Sequence, residues 1–402
     1  MPVEEARARI LADLRALSAE SIPLADTYGR TVAQDIVSAM DQPPAPVSAM
    51  DGYALRSADA EKMPASLRKI GVSRAGARFA GRLEAGTCVR IFTGAVVPDG
   101  AEYIALQEDA TEAGDVVTIR EVPNKGQYIR KAGLDFGKGS VLAAAGSVLT
   151  ARLIGLLAAA GHASVSVRKK PRIAVLSTGD ELVPPGGTLG ADQIFASNGI
   201  ALASVITGWG GSPIDLGIAS DESDVIAAAA ERASDADMLV TTGGASVGDH
   251  DLVQDGLRQK GFVSNFWRIA MRPGKPLMFG KLGDLSVISM PGNPVSALVC
   301  ALLFLRPAMA KMLGHANTDL VFEKIKLSSA LPANDRREDY MRSQLTIDSG
   351  GRLTVSASKT QDSSMLMTLT NANALIRRKP LAPPAQAGDE VDVLRLDQLN
   401  TL

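Results

Sequence analysis

Between residues 165 and 310 the apolar positions fall into short continuous runs separated by stretches with helical spacing. Ile173 to Leu176, Ile214 to Ile218, Met238 to Thr242 and the segment SVISM (286–290) read as strands. Continuous apolar runs suit parallel strands covered on both faces. Between them, Ser197 to Thr207, Asp221 to Arg232 and residues 251–260 read as helices, the second capped by Asp221. PGNPVSALVCALLFL opens a further long helix. The alternation predicts a doubly wound α/β domain with its ligand site at the carboxyl ends of the strands. STGDEL, TTGGASVGD and MPGNP each follow a predicted strand, so they should converge on one rim.

The flanking patterns differ. Val3, Ile10, Leu11, Leu14 and Leu17 recur at helical spacing and predict a helix over 3–17. TYGRTVAQDI reads as a short helical or irregular element. The prolines of DQPPAPVSAMDGYALR (41–56) forbid a regular helix and place a boundary near 45. From about 50 to 140, short apolar runs and frequent glycines predict a small β-rich domain. TARLIGLLAAA (150–160) predicts a helix with Thr150 as N-cap and Gly161 past its end. After 320 the period returns to two. QLTIDSGGRLTVSAS is a hairpin pattern around Ser-Gly-Gly, and AGDEVDVLRL a closing strand.

Composition narrows the function classes. The chain has 402 residues and 46% apolar content, enough for several cores. A formal net charge of −2 argues against a basic nucleic-acid binder. Cys88 and Cys300 form no metal motif and no disulfide framework, and three scattered histidines make a histidine-ligated metal unexpected. The start carries no basic–apolar leader pattern, and no apolar run reaches about 20 residues. A soluble, cytoplasmic protein with no membrane and no nucleic-acid partner is expected.

The candidate chemistry centres on DMLVTTGGASVGDHD (237–251). An apolar strand runs into a glycine turn and then a helix. Gly243, Gly244 and Gly248 let the backbone approach a ligand, Thr242 and Ser246 add hydroxyls, and the helix start favours an anion. The stretch is neither a GxxxxGK[ST] loop nor a GxGxxG fingerprint. Asp249 and Asp251 stand beside it, and carboxylates beside a phosphate site call for a divalent cation. An ordinary strand-to-helix turn has the same outline. In MRPGKP a stiff Pro-Gly turn separates Arg272 from Lys275 and can hold both heads toward one anion; a solvated charged turn is the plainer alternative. Asp180 and Glu181 suit a site or a helix start. Pro291, Gly292 and Asn293 form a second loop at the rim, and Asp51, Thr93 and Asp135 stand out in the β-rich segment. No Ser/His/Asp triad or cysteine nucleophile stands out. The set fits Mg²⁺-assisted chemistry on a phosphorylated ligand.

SAMDGYA, IFTGA, LQEDA, RKAGLDF, STGDEL, TTGGASVGDHD, RPGKP and MPGNPVSA occur in one order along almost the whole chain. That order resembles the MoeA family, the molybdenum insertases to which the E domain of gephyrin is also similar. The resemblance implies insertion of molybdate into adenylylated molybdopterin with release of AMP, dependent on Mg²⁺. It implies a MogA-like α/β domain (1–20 and 165–320), a connecting domain (21–44 and 141–164), a β-rich domain (45–140) and a C-terminal β-barrel-like domain (321–402). It implies a homodimer, with each site shared between the α/β domain of one subunit and the β-rich domain of the other. Asp51, Thr93, Asp135 and Glu181 take catalytic positions. Thr242, Gly243, Gly244, Ser246, Gly248, Arg272, Lys275, Pro291, Gly292 and Asn293 take substrate-binding ones, and Asp249 and Asp251 the metal. A MogA-like adenylyltransferase would be a transient partner.

Three positions depart from the pattern. Arg272 stands where lysine is frequent, RKAGLD lacks an acid before Asp135, and Ala196 replaces a polar residue. Two other functions share parts of these motifs: a gephyrin-E-like scaffold without turnover, and MogA-like adenylyl transfer. The β-rich and C-terminal segments argue against the latter, because a MogA-like fold needs only the α/β part.

Overall fold

A computed structural model describes residues 1–243 and 252–399. The α/β unit contains β1 (Arg172–Thr178), α1 (Asn198–Gly208), β2 (Ser212–Ala219), α2 (Ser223–Glu231), β3 (Met238–Thr242), α3 (Leu252–Gln259), β4 (Phe262–Trp267), β5 (Met278–Leu282), β6 (Leu285–Met290) and α4 (Pro294–Cys300). Its sheet runs β2-β1-β3-β6-β5-β4. The first four strands are parallel, and β5 is antiparallel to both its neighbours. β3 is buried along its whole length and β1 from Ile173 onward, as their continuous apolar runs require.

Boundaries moved for local reasons. The helix expected from Asp221 starts at Ser223, with Glu222 at the cap position and no side-chain cap. Asp221 instead offers its amide to the carboxylate of Asp180 at 3.0 Å. Asp180 and Glu181 start no helix; Leu182–Val183 follows as a short strand paired with Ile194–Phe195. The N-terminal helix spans Val3–Ala12 and stops short of 17, although Leu14 beyond it is still buried. α4 continues through a π turn, Ala301–Leu305, into Arg306–Met312. Pro307 has no N–H for the carbonyl four residues before it, which breaks the regular ladder there. Most of the 19-residue apolar stretch Pro294–Met312 is buried within the protein.

Ala19–Pro23 pairs with Ser164–Arg168, and Ile36–Val37 with Val141–Ala143. With helix Ala151–Ala159, N-capped by Thr150, these strands enclose a separate core around Val32, Leu149, Leu157 and Val167. The β-rich segment forms one six-stranded sheet over residues 52–119. Gly52 is obligatory in it, since a Cβ there would lie 1.8 Å from the carbonyl oxygen of Ala105.

The C-terminal strands close a five-stranded barrel: Glu338–Ile347, Leu353–Ala357, Phe322–Leu327, Glu390–Arg395, Ala374–Arg378, and back to the first. The expected Ser-Gly-Gly hairpin joins the first two, with Gly351 at φ 76°. The barrel docks on the α/β unit. Met271 and Arg272 pair in parallel with Glu338 and Asp339, and Tyr340, Leu375 and Leu394 enter the core that holds Val240 and Ile288.

Candidate functional site

The carboxyl ends of β1, β3 and β6 open onto a cleft of about 470 Å³. It lies at the point where the strand order turns from β1 toward β3, the expected place for a ligand. Gly243 leaves β3 at φ 99°, and a Cβ there would lie 2.0 Å from the carbonyl oxygen of Thr178. Only glycine lets the two strand ends come this close. Gly292 packs against it, its missing Cβ 3.4 Å from the Gly243 Cα. Asn198, the first residue of α1, ties the rim together. Its amide donates to the Thr242 hydroxyl at 2.8 Å and to the Gly292 carbonyl at 2.6 Å. The buried Thr178 hydroxyl has no partner among the described residues, although it lines the cleft. A buried hydroxyl left unsatisfied is costly, so a ligand atom is its natural partner.

Glu181 is exposed at the mouth, its carboxylate over Gly179. Asp221 lies nearby, and burial, then the charges of Asp180 and Glu181, push its carboxyl up from the usual range. Ala196 also lines the cleft, as do the exposed Ile194 and Phe195.

A second pocket of about 380 Å³ adjoins the cleft across Pro276, Pro291 and Asn293. Arg272 and Lys275 both line it, but their heads are engaged differently. The Arg272 guanidinium grips Asp339 through Nε at 3.1 Å and Nη2 at 2.5 Å, and reaches Asp335 at 3.5 Å. The Lys275 ammonium has no hydrogen bond or ion pair among the described residues. Gly274 between them has φ 107°, and a Cβ would strike the Cys300 sulfur at 2.5 Å, so the turn packs flat on α4. The two heads therefore line one pocket in unequal states. Arg272 is a wall held by the barrel, and Lys275 lines the pocket with its ammonium unpaired among the described residues.

The barrel supplies site residues that sequence reasoning missed. The Asn293 amide donates to the Ser363 hydroxyl at 2.9 Å, and the Ser363 carbonyl accepts the Val295 amide at 3.1 Å, capping α4. Ser364 lines the cleft. Behind this loop lies Arg342, fully buried, with Nη2 on the Asp362 carbonyl at 3.3 Å and Nε unpartnered among the described residues. Burial depresses its guanidinium from its ordinary value. The RRED and RSQ runs near it offered only charge, with nothing to mark one arginine as enclosed.

Asp51 and Thr93 come together in the β-rich domain. The Thr93 amide and hydroxyl donate to one Asp51 oxygen at 2.7 and 2.8 Å, and these bonds hold the carboxyl below its usual range. Asp135 lies in a neighbouring loop, its amide on the Gln42 carbonyl at 2.9 Å. Ile129 and Arg130, just before that loop, pair with Ser48 and Val47. No residue of this domain lines the cleft or the Lys275 pocket. Gly244, Ser246, Gly248, Asp249 and Asp251 lie outside the described residues.

Comparison with known proteins joins these parts. Residues 1–161 match the model of the MoeA N-terminal region, domains I and II, and residues 324–396 that of the MoeA C-terminal region, domain IV. Residues 174–311 match a model described as "probable molybdopterin binding domain". A molybdopterin molybdenumtransferase of Haemophilus influenzae is 33% identical, covering 98% of each chain. The chain belongs to the MoeA family. A second molybdopterin molybdenumtransferase, from Mycobacterium tuberculosis, is 32% identical over 96% of this chain and 97% of its own. The MoeA crystal structure from Pyrococcus horikoshii superposes with a TM-score of 0.85 at 29% identity, covering 98% of each chain. The four parts described here are thus arranged as in a solved MoeA structure.

Proposed function

We propose that this protein inserts molybdate into the dithiolene of adenylylated molybdopterin, releasing AMP and molybdenum cofactor. One observation carries the reading: a cleft at the strand ends adjoins a pocket whose lysine ammonium has no partner among the described residues. The cleft takes the bulky phosphorylated substrate. Thr178, Thr242 and Asn198 offer it hydroxyl and amide groups, and Gly243 and Gly292 let the backbone approach it. Gly244, Ser246 and Gly248 continue the phosphate cradle. The smaller pocket takes molybdate. Lys275 contacts the oxyanion, Ser363 offers a hydroxyl, and Arg272 and Arg342 add positive potential from positions held by the barrel.

When two sulfurs bind molybdenum, one oxo group leaves as water with the two thiol protons. Glu181, exposed at the cleft mouth, is placed to take or pass such a proton. Asp51, kept ionised by Thr93, and Asp135 serve the same step from the β-rich domain of the second subunit of a homodimer. Mg²⁺ would offset the charge of the phosphates, with Asp249 and Asp251 as its ligands. Among the described residues no group of three or more His, Cys, Asp or Glu is arranged for a metal ion. A MogA-like adenylyltransferase in the same cytoplasm would supply the adenylylated substrate.

The test is to mix the purified protein with adenylylated molybdopterin, molybdate and Mg²⁺ and to measure AMP. Release that depends on molybdate is expected. Retained substrate with no AMP would turn the reading toward a scaffold.

A further inference from the structure

Asp51 and Thr93 meet across 42 residues, one just before the strand Gly52–Leu55 and the other shortly after Thr87–Ile91. One side chain holds neighbours of both. Arg90 stands opposite Tyr53 in the antiparallel register of those two strands. Its guanidinium donates through Nη1 to the Gly52 carbonyl at 3.3 Å and through Nη2 to the side-chain oxygen of Gln107 at 2.6 Å. The backbone amide of Gln107 donates in turn to the Asp51 carbonyl at 3.1 Å. The guanidinium carbon also lies 4.9 Å from the centre of the Phe92 ring, beside Thr93, and 5.0 Å from that of Tyr53.

An arginine suits this place for its shape. Its planar fork reaches two oxygens at once while it rests on aromatic rings, and a lysine would keep the charge but not both bonds. The platform beneath it is fixed. Tyr53 is buried, its hydroxyl donates to Glu112 at 2.6 Å, and Glu112 pairs with Lys69. Arg90 makes no hydrogen bond to the Asp51 carboxyl among the described residues. The Thr93 amide and hydroxyl do that and hold the carboxyl below its usual range, and the charge of Arg90 adds to the same effect. The bonds of Arg90 go instead to the carbonyl that follows Asp51 and to the residue that grips the carbonyl of Asp51 itself.

We propose that Arg90 is a positioning residue: its fork fixes the backbone of Asp51 and Gly52, and so the direction in which the Asp51 carboxylate is presented to a ligand. The inference rests on the reading of Asp51 as a participant in the reaction. It adds that the Asp51–Thr93 pair is aimed by the sheet behind it, through a cation that bonds its neighbours.

The experiment uses two variants of the full chain that leave the charge in place. Arg90→Lys loses the fork, and Gln107→Met, at an exposed position, removes only one acceptor. In both, turnover in molybdate-dependent AMP release should fall about 10- to 100-fold, the scale of a misplaced reacting group, with the KM for adenylylated molybdopterin unchanged. The Asp51 carboxyl carbon resonance, followed with pH, should titrate closer to its ordinary value in both. Gln107→Met should keep the denaturation midpoint of the unaltered protein, which separates aiming from folding, and it decides the matter alone if Arg90→Lys does not fold. Full turnover in Arg90→Lys beside an inactive Asp51→Ala overturns the proposal and leaves the reading of Asp51 standing. Lost turnover with an unmoved Asp51 titration also overturns it, since the carboxylate would then have kept its place on Thr93. An active Asp51→Ala overturns the reading of Asp51 and the proposal with it.

Discussion

Asp51 and Thr178 face opposite situations. The Asp51 carboxylate receives two hydrogen bonds from Thr93 and lines neither the cleft nor the Lys275 pocket. Thr178 lies in a cleft with its hydroxyl unmatched among the described residues, and the Lys275 ammonium next door forms no ion pair among them. One region holds a finished group with nothing to act on, while the other is a cavity with unfinished polar groups. Neither is a complete site alone. On the proposed function, the β-rich domain would present its carboxylate to a ligand that the α/β rim holds. In a homodimer with shared sites the two regions would meet.

The largest effect should come from closing the cleft itself. Gly243→Ala places a Cβ 2.0 Å from the Thr178 carbonyl oxygen and at a φ that side chains avoid. It should cost about 2–4 kcal/mol of stability and abolish ligand binding at the rim. The Asp51–Thr93 pair should remain intact. Chemical denaturation checks this, and an unchanged midpoint would contradict the close approach of β1 and β3.

Next comes the contrast within the cationic pocket. Lys275→Ala removes a charge-assisted contact of about 1.5–3 kcal/mol, so molybdate binding should weaken about 10- to 150-fold with stability unchanged. Arg272→Ala should do the reverse. Asp339 is 8% exposed in its side chain and would lose its partner, at about 1–3 kcal/mol of stability. Molybdate titration and denaturation of both variants separate the two roles. Equal effects on binding would restore the symmetric clamp.

The smallest effect concerns Asp51. Its depressed carboxyl contributes stability that is present above the unfolded value of about 3.9 and is lost as pH falls through the folded value. Thr93→Val removes one of the two donors, so Asp51 should titrate closer to its ordinary value. Carboxyl carbon resonances followed with pH would show this, and an unmoved titration would mean that the Thr93 amide alone sets it.

Sequence reasoning reached the fold because its main signals were local. The continuous apolar runs of β1, β3 and β6 declared buried parallel strands, and the motifs after them had nowhere to go but one rim. Thr150, Gly161 and the Ser-Gly-Gly hairpin announced themselves by turn and cap chemistry. What stayed hidden depends on docking between distant segments. Asp339 meets Arg272 across 67 residues, and Ser363 meets Asn293 across 70. Such contacts follow from how the barrel sits on the α/β unit, which no period in the chain encodes. Asn198 was hidden for another reason. It reads as an ordinary first residue of a helix, and its two bonds across the rim need the neighbouring strand ends in place.

Sharing of the site between subunits is tested most directly by mixing two inactive variants. Asp51→Ala damages the β-rich region and Lys275→Ala the α/β rim, with each leaving the other region whole. If the halves of one site come from different subunits, mixed dimers contain one undamaged site, and molybdate-dependent AMP release should reappear once subunits exchange. Both variants folded and exchanging, with no activity recovered, would contradict the shared site and confine each one to a single chain.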